Sequence, residues 1–138
     1  MKMFEASTII GAIVILSYLT AIYSVALYEV DAIPEDQSDA FVVKVTGSQW
    51  TWRFEYPNGE RASELVINAG EQIIVEVESR DVIHSLYFPE LGWKIDAVPN
   101  SVNRFAFKVF DPGEYNILCA EFCGLAHADM RTTLTVLG

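Results

Sequence analysis

The loop Cys119-Ala-Glu-Phe-Cys123-Gly-Leu-Ala-His127-Ala-Asp-Met130 gathers two thiols, an imidazole and a thioether at spacings of 4, 4 and 3 residues. The chain has 2 cysteines and 2 histidines in all, and the other histidine, His84, stands far upstream. Each residue alone has an ordinary explanation: Met130 as core filler, His127 as a solvent-facing loop residue, His84 as a core histidine with a satisfied ring, the cysteines as small apolar groups. Five donors of matching softness rarely arise from packing demands, and together they point to a metal site.

The donor types narrow the metal. Two Cys and two His can hold a structural zinc tetrahedrally, and those four residues do not exclude it. Met130 favours copper, because a thioether is a poor zinc ligand and a usual weak axial ligand of copper. A mononuclear blue-copper centre uses one Cys with two His and Met. The second thiolate is placed so that both sulfurs can bridge two copper ions, each taking one His, with Met130 on one ion and a backbone carbonyl on the other. A copper pair sharing charge across bridging thiolates changes its bond lengths little on reduction, which suits one-electron transfer. No residue is poised for acid–base or nucleophilic work on a substrate. A disulfide is the competing use of two cysteines in an exported domain. Between Cys119 and Cys123 it would close a very short loop with little chain-entropy gain, and it would leave His127 and Met130 unexplained.

Such a site needs rigid elements to carry it. In Tyr115-Asn-Ile-Leu-Cys119 the alternating Tyr115, Ile117 and Cys119 share a face, so Cys119 arrives from a strand end and its partners come from the following loop. His84, after Val82 and Ile83, falls at the end of a different strand, which makes metal binding depend on the folded domain. Short β-branched and aromatic runs support this reading: Phe41 to Val45, Leu65 to Ile67, Ile73 to Val77, Val82 to Phe88, Phe105 to Phe110, Tyr115 to Cys119 and Thr132 to Leu137. Trp50, Trp52, Phe54 and Tyr56 alternate with Thr51, Arg53 and Glu55, and Tyr56-Pro57-Asn58-Gly59 is a turn. Many short strands without a second amphipathic helix predict an antiparallel all-β sandwich or barrel over 41–138. The last run reaches the final residues, so no downstream domain is expected.

At 138 residues one ordinary domain is expected. A composition 51% hydrophobic beside 20% charged residues implies a separate apolar segment. It is N-terminal: Ala6 to Tyr28 carries no formal charge, and at about 1.5 Å per residue it reaches roughly 34 Å, enough for a hydrocarbon core of about 30 Å. Lys2 and Ser24-Val25-Ala26 resemble a signal peptide, but the run exceeds a signal core, and Tyr18, Tyr23 and Tyr28 suit a helix ending in an interfacial belt. The expectation is a transmembrane anchor over 1–28. The net charge of −10 is uneven: residues 1–28 sum to zero, and Glu29, Asp31, Glu35, Asp36 and Asp39 contribute half of it. These lie in an acidic linker, 29–40, containing Pro34. Without basic residues there, the C-terminal part is expected outside the cytoplasm, with the N-terminus inside. The acidic balance favours a basic protein partner and argues against nucleic acid.

The sequence resembles subunit II of the haem–copper cytochrome c oxidases, with its binuclear CuA centre in a cupredoxin domain. The matching pieces are Gly47-Ser-Gln-Trp-Thr-Trp-Arg-Phe-Glu-Tyr56, His84-Ser-Leu-Tyr-Phe-Pro89, Lys94-Ile-Asp-Ala-Val-Pro99, Pro112-Gly-Glu-Tyr115 and the whole loop from Cys119 to Met130. The resemblance implies a cupredoxin-like Greek-key β-sandwich with one N-terminal helix. It implies that Cys119 and Cys123 bridge two coppers, that His84 and His127 terminate them, and that Met130 and the main-chain oxygen of Glu121 are weak ligands. The Glu121 side chain would touch a Mg or Mn ion at the interface with subunit I, and Trp50 would receive electrons from a c-type cytochrome. The chain would then be the electron-input subunit of a proton-translocating terminal oxidase of the cell membrane, doing no O2 chemistry itself. Two features depart from the family: many members have two N-terminal helices, and Thr51 replaces an aromatic often found between the tryptophans.

Other classes fit less well. A copper chaperone or thiol oxidoreductase using the Cys-x3-Cys pair has no evident need for His127 and Met130. A nitrous oxide reductase would need a catalytic domain for which the chain has no room, and a plain zinc domain leaves Met130 without a role.

Overall fold

The computed structural model describes residues 2–31 and 40–138, the side chains of 28–31 excepted. Contacts divide the chain into two compact units, Met1–Ile33 and Pro34–Gly138. The first is a single helix, α1 (Lys2–Asp31). Its long aliphatic side chains are exposed all round, from Ile9 and Val14 to Ile22 and Leu27, and no side chain in the span Lys2–Leu27 is buried within the chain. By length and composition this helix is able to cross a membrane. Its hydroxyls turn back on the helix: Ser7 and Thr8 donate to the Phe4 carbonyl, Thr20 to Leu16 and Ser24 to Ala21. Such bonds satisfy a hydroxyl where no water is available. The acidic linker expected over 29–40 lies outside the described residues from 32 to 39, as does the side chain of Tyr28.

The second unit is built of strands β1 (Phe41–Ser48), β2 (Thr51–Glu55), β3 (Arg61–Ala62), β4 (Leu65–Asn68), β5 (Ile73–Ser79), β6 (His84–Phe88), β7 (Trp93–Ala97), β8 (Asn103–Phe107), β9 (Gly113–Cys119) and β10 (Arg131–Leu137). They form two five-stranded sheets, ordered β3-β2-β1-β5-β8 and β4-β10-β9-β6-β7. The sandwich expected from the sequence is present, and its antiparallel pairing is corrected at two ladders: β1 pairs with β5 and β10 with β4 in parallel. Parallel neighbours need long connections, and here each connection passes through the opposite sheet: β4 lies between β1 and β5, and β5 and β8 lie between β4 and β10.

The period-two pattern decides which side chains face inward. On β2 Trp52 and Phe54 are buried while Thr51 and Arg53 are exposed. Val43, Val45, Val75, Val77, Leu86, Phe88, Ile117 and Leu134 fill the space between the sheets, and Cys119, Cys123 and Met130 belong to the same buried cluster. The core therefore runs without interruption into the candidate site.

Several strand limits differ from expectation. Val82 and Ile83 precede β6 instead of beginning it and are exposed. Local side-chain bonds hold them in a turn: the Ser79 hydroxyl donates to the Val82 carbonyl, and the Val82 N–H donates to Asp81 Oδ1 at 2.7 Å. His84 thus opens its strand instead of closing it. Lys108 to Phe110 fall beyond the end of β8, and β7 was not anticipated, because Lys94 and Asp96 interrupt its apolar residues on the outer face of an edge strand.

Candidate metal centre

Strand register explains how donors distant in sequence meet. On the β6–β9 ladder Cys119 stands opposite Leu86, and His84 lies two residues from Leu86 on the same face. Diagonal neighbours on one sheet face are within reach of long side chains, and Cys119 Sγ is 3.9 Å from His84 Nδ1. The adjacent strand completes the frame. The Cys119 N–H donates to the Met130 carbonyl at 3.1 Å, so the loop leaves β9 and enters β10 at a single hydrogen bond. The Ala120 N–H donates to the Ser85 carbonyl at 2.9 Å, tying the loop to β6 as well.

Within the loop Cys123 is the hub. Its Sγ lies 3.8 Å from Cys119 Sγ, 3.5 Å from His127 Nδ1 and 3.7 Å from Met130 Sδ, and the Glu121 carbonyl is 3.2 Å from Cys119 Sγ. His127 is placed by a short 3-10 turn, His127–Asp129, whose first N–H donates to the Gly124 carbonyl. The two sulfurs are too far apart for a disulfide, whose bond is about 2.05 Å. Donors about 2.0–2.3 Å from a shared ion lie roughly 3.3–3.8 Å apart at tetrahedral angles, and that spacing runs through this cluster. Two sulfurs at the centre, an imidazole nitrogen beside each, a thioether at one end and a carbonyl at the other form a donor set that fits a pair of copper ions.

The His84 ring is fully buried and held on three sides. Its Nε2 meets Asp81 Oδ1 at 2.7 Å, and because an ionised carboxylate only accepts, Nε2 carries the hydrogen. In the neutral ring the Nδ1 lone pair is then free toward the sulfurs, the arrangement by which an outer carboxylate orients a ligating histidine. Burial pushes the Asp81 carboxyl up, but hydrogen bonds from the Gln49 N–H, His84 and the Val82 N–H outweigh it and hold the group down at about 2. Trp52 packs edge-on against the imidazole with centroids 6.0 Å apart. Gly47 supplies the third side: a Cβ there would stand 3.1 Å from His84 Cδ2 and 3.0 Å from Trp52 Cζ3, so a side chain at this position would crowd the ring.

Burial pushes the Cys123 thiol up to about 11, with the neighbouring Cys119 adding to the shift. Cys123 without a metal therefore keeps its proton at neutral pH, and a cation that binds its sulfur must displace it.

The fold thus brings His84, Cys119, Cys123, His127, Met130 and the Glu121 carbonyl to one place. The Glu121 carboxylate is exposed, and among the described residues the only three His, Cys, Asp or Glu ligand atoms that all lie within 4.8 Å of one another are those of His84, Cys119 and Cys123. Trp50 is not a core residue: it sits in the turn between β1 and β2, 39% exposed, against Gly124 of the loop. Sequence reasoning missed Asp81, Gln49 and Gly47. A carboxylate three residues before a suspected ligand was a usable sign for Asp81, whereas nothing local marked the other two.

Three comparisons bear on this site. A family model described as cytochrome C oxidase subunit II, periplasmic domain, matches residues 59–136. A cytochrome c oxidase subunit 2 of Alkalihalophilus pseudofirmus is 36% identical over 91% of this chain and 37% of its own length, and a heme-copper oxidase subunit 2 of Aeropyrum pernix is 36% identical over 88% and 53%. The chain therefore spans about a third to a half of the length of these relatives. The crystal structure of the periplasmic domain of subunit II of cytochrome oxidase from Bradyrhizobium japonicum superposes with a TM-score of 0.66 at 33% identity, covering 70% of this chain and 83% of that one.

Proposed function

The chain belongs to the cytochrome c oxidase subunit II family, and from that premise we propose that it is the electron-input subunit of a haem–copper terminal oxidase, anchored by α1 with its β-domain outside the cytoplasm. The observation that carries this reading is the cluster of five side-chain donors around Cys123, each neighbour 3.5–3.9 Å from the next. When bound there, a copper pair would accept one electron at a time and share it, with little change in its bonds.

The chain's own residues do the rest. Cys119 and Cys123 would hold the copper as thiolates. His84 and His127 would each contribute a ring nitrogen, with Met130 and the Glu121 carbonyl as weaker donors. Buried strand ends fix His84 and Cys119, so that half of the donor set is preorganised. Trp50, part exposed and in contact with the loop, receives electrons from a c-type cytochrome, and His127 faces the side from which they leave toward the haem of subunit I. The exposed Glu121 carboxylate offers one ligand for a Mg or Mn ion whose remaining ligands come from subunit I.

Metal analysis of the purified chain tests the reading. About two coppers per chain, a purple thiolate-to-copper absorption and an EPR signal delocalised over two equivalent nuclei are expected. One zinc per chain, or a Cys119–Cys123 disulfide in the active protein, overturns it. In the loaded chain Trp50→Phe is expected to leave the absorption intact and slow reduction by cytochrome c; unchanged reduction removes Trp50 from the route.

A further inference from the structure

One residue touches both halves of the centre and is assigned nothing by the donor chemistry. Gln49 lies in the turn between β1 and β2, outside the ligand loop. Its side-chain Nε2 donates to the Cys123 carbonyl at 2.7 Å, across 74 residues of sequence. Its backbone N–H donates to Asp81 Oδ2, also at 2.7 Å, while the other oxygen of that carboxylate holds His84 Nε2. The turn is further tied to this segment by the Arg80 N–H, which donates to the Gly47 carbonyl at 3.0 Å.

The contact is close because the loop is bare where Gln49 reaches it. Gly124 has φ +124, and a Cβ there would stand 2.9 Å from Gln49 Nε2 and 3.3 Å from Trp50 Nε1. A side chain at Gly124 would displace the amide and the indole together. Cys123 is also the residue whose sulfur touches the other three side-chain donors of the loop, so its carbonyl is the point at which one external bond restrains the most of the centre.

We propose that Gln49 is a positioning residue: a clasp that fixes the Cys123 hub with its side chain and the Asp81–His84 pair with its backbone, and thereby holds the Trp50 turn in register with the ligand loop. What the clasp serves rests on the copper reading above; the clasp itself acts in the metal-free chain. The two ends have different chemistry. A side-chain replacement removes only the bond to Cys123, because every residue except proline keeps the backbone N–H that Asp81 accepts.

Hydrogen–deuterium exchange of the full chain in detergent, metal-free, tests this. Gln49→Met keeps the length of the side chain without a donor, and losing one bond to a part-buried carbonyl is expected to raise exchange across 119–130 about tenfold. Segment 80–84 keeps its protection. Gln49→Asn, which retains an amide but is one carbon short, falls between Gln49→Met and the unsubstituted chain. Trp50→Phe leaves the loop's protection unchanged. In the copper-loaded chain Gln49→Met shifts the EPR hyperfine pattern with the copper content unaltered. Unchanged exchange in 119–130 for Gln49→Met, or equal loosening for Trp50→Phe, overturns the proposal. A chain that shows the clasp in exchange but binds no copper pair leaves it standing and removes the functional reading instead.

Discussion

The two histidines of the centre sit in opposite settings. His84 opens β6, is fully buried, and is bounded by Trp52, Gly47 and the Asp81 carboxylate. His127 lies in a single 3-10 turn, is half-buried, and packs with a tilted Phe122 ring at 5.7 Å, while Phe122 and Leu125 beside it are 78% and 99% exposed. One imidazole is part of the core and the other is part of a surface. The sheet supplies a fixed reference for one end of the donor set, and the loop leaves the other end where a second protein is able to reach it. Rigidity and access, which compete in a single residue, are here divided between two.

The largest expected effect tests that division directly. His84→Ala removes a fully buried ring and is expected to destabilise the metal-free domain by about 2–4 kcal/mol, whereas His127→Ala shifts it by no more than about 0.5 kcal/mol. Denaturant unfolding of the metal-free chain measures both, and equal losses would break the contrast even if both variants fail to hold copper. A smaller effect is expected one layer out. Asp81→Ala leaves the His84 ring without its orienting carboxylate and is expected to lower copper affinity about 10–100-fold, read by competition with a chelator. No side chain among the described residues bonds His127 Nε2, so that ring has no corresponding variant; unaltered affinity in Asp81→Ala would erase the distinction.

The smallest effect concerns the support of β9, the strand that delivers Cys119. Glu90 accepts from the Asn116 side-chain amide at 2.6 Å and from the Asn116 N–H at 3.2 Å, and these bonds hold its carboxyl below the ordinary 4.5. A carboxyl depressed in the folded state stabilises it at pH values above its unfolded pKa and ceases to do so as pH falls through the folded value. Melting of the unsubstituted chain is therefore expected to drop slightly more as pH falls below the ordinary 4.5 than melting of Glu90→Gln, whose amide does not titrate. Parallel curves would show that this exposed clamp adds nothing to the sheet side.

The donors themselves were legible in the sequence because soft ligands are scarce and their spacing survives translation into a loop. The strands were legible where apolar and polar residues alternate strictly, as from Thr51 to Glu55. The parallel pairings were not, since a strand's partner is set by the path of the chain between sheets and leaves no mark on its own residues. Asp81, Gln49 and Gly47 belong to the same class. Gln49 and Cys123 are 74 positions apart, and the room a glycine leaves at position 47 matters only once the His84 ring lies over it. What a residue does by its own chemistry can be read locally, and what it does by permitting or restraining another appears only in three dimensions.

The single hydrogen bond from the Cys119 N–H to the Met130 carbonyl bears on the length of the loop it closes. Because the two ends are joined there, and Cys123 and Met130 are anchored in the core, a residue inserted between Gly124 and His127 adds little to the entropy of closing the ring, where even doubling the length would cost about 0.6 kcal/mol. The loop's twelve residues answer to the distances among five donor atoms, so a one-residue insertion after Gly124 is a change the fold tolerates and the centre does not.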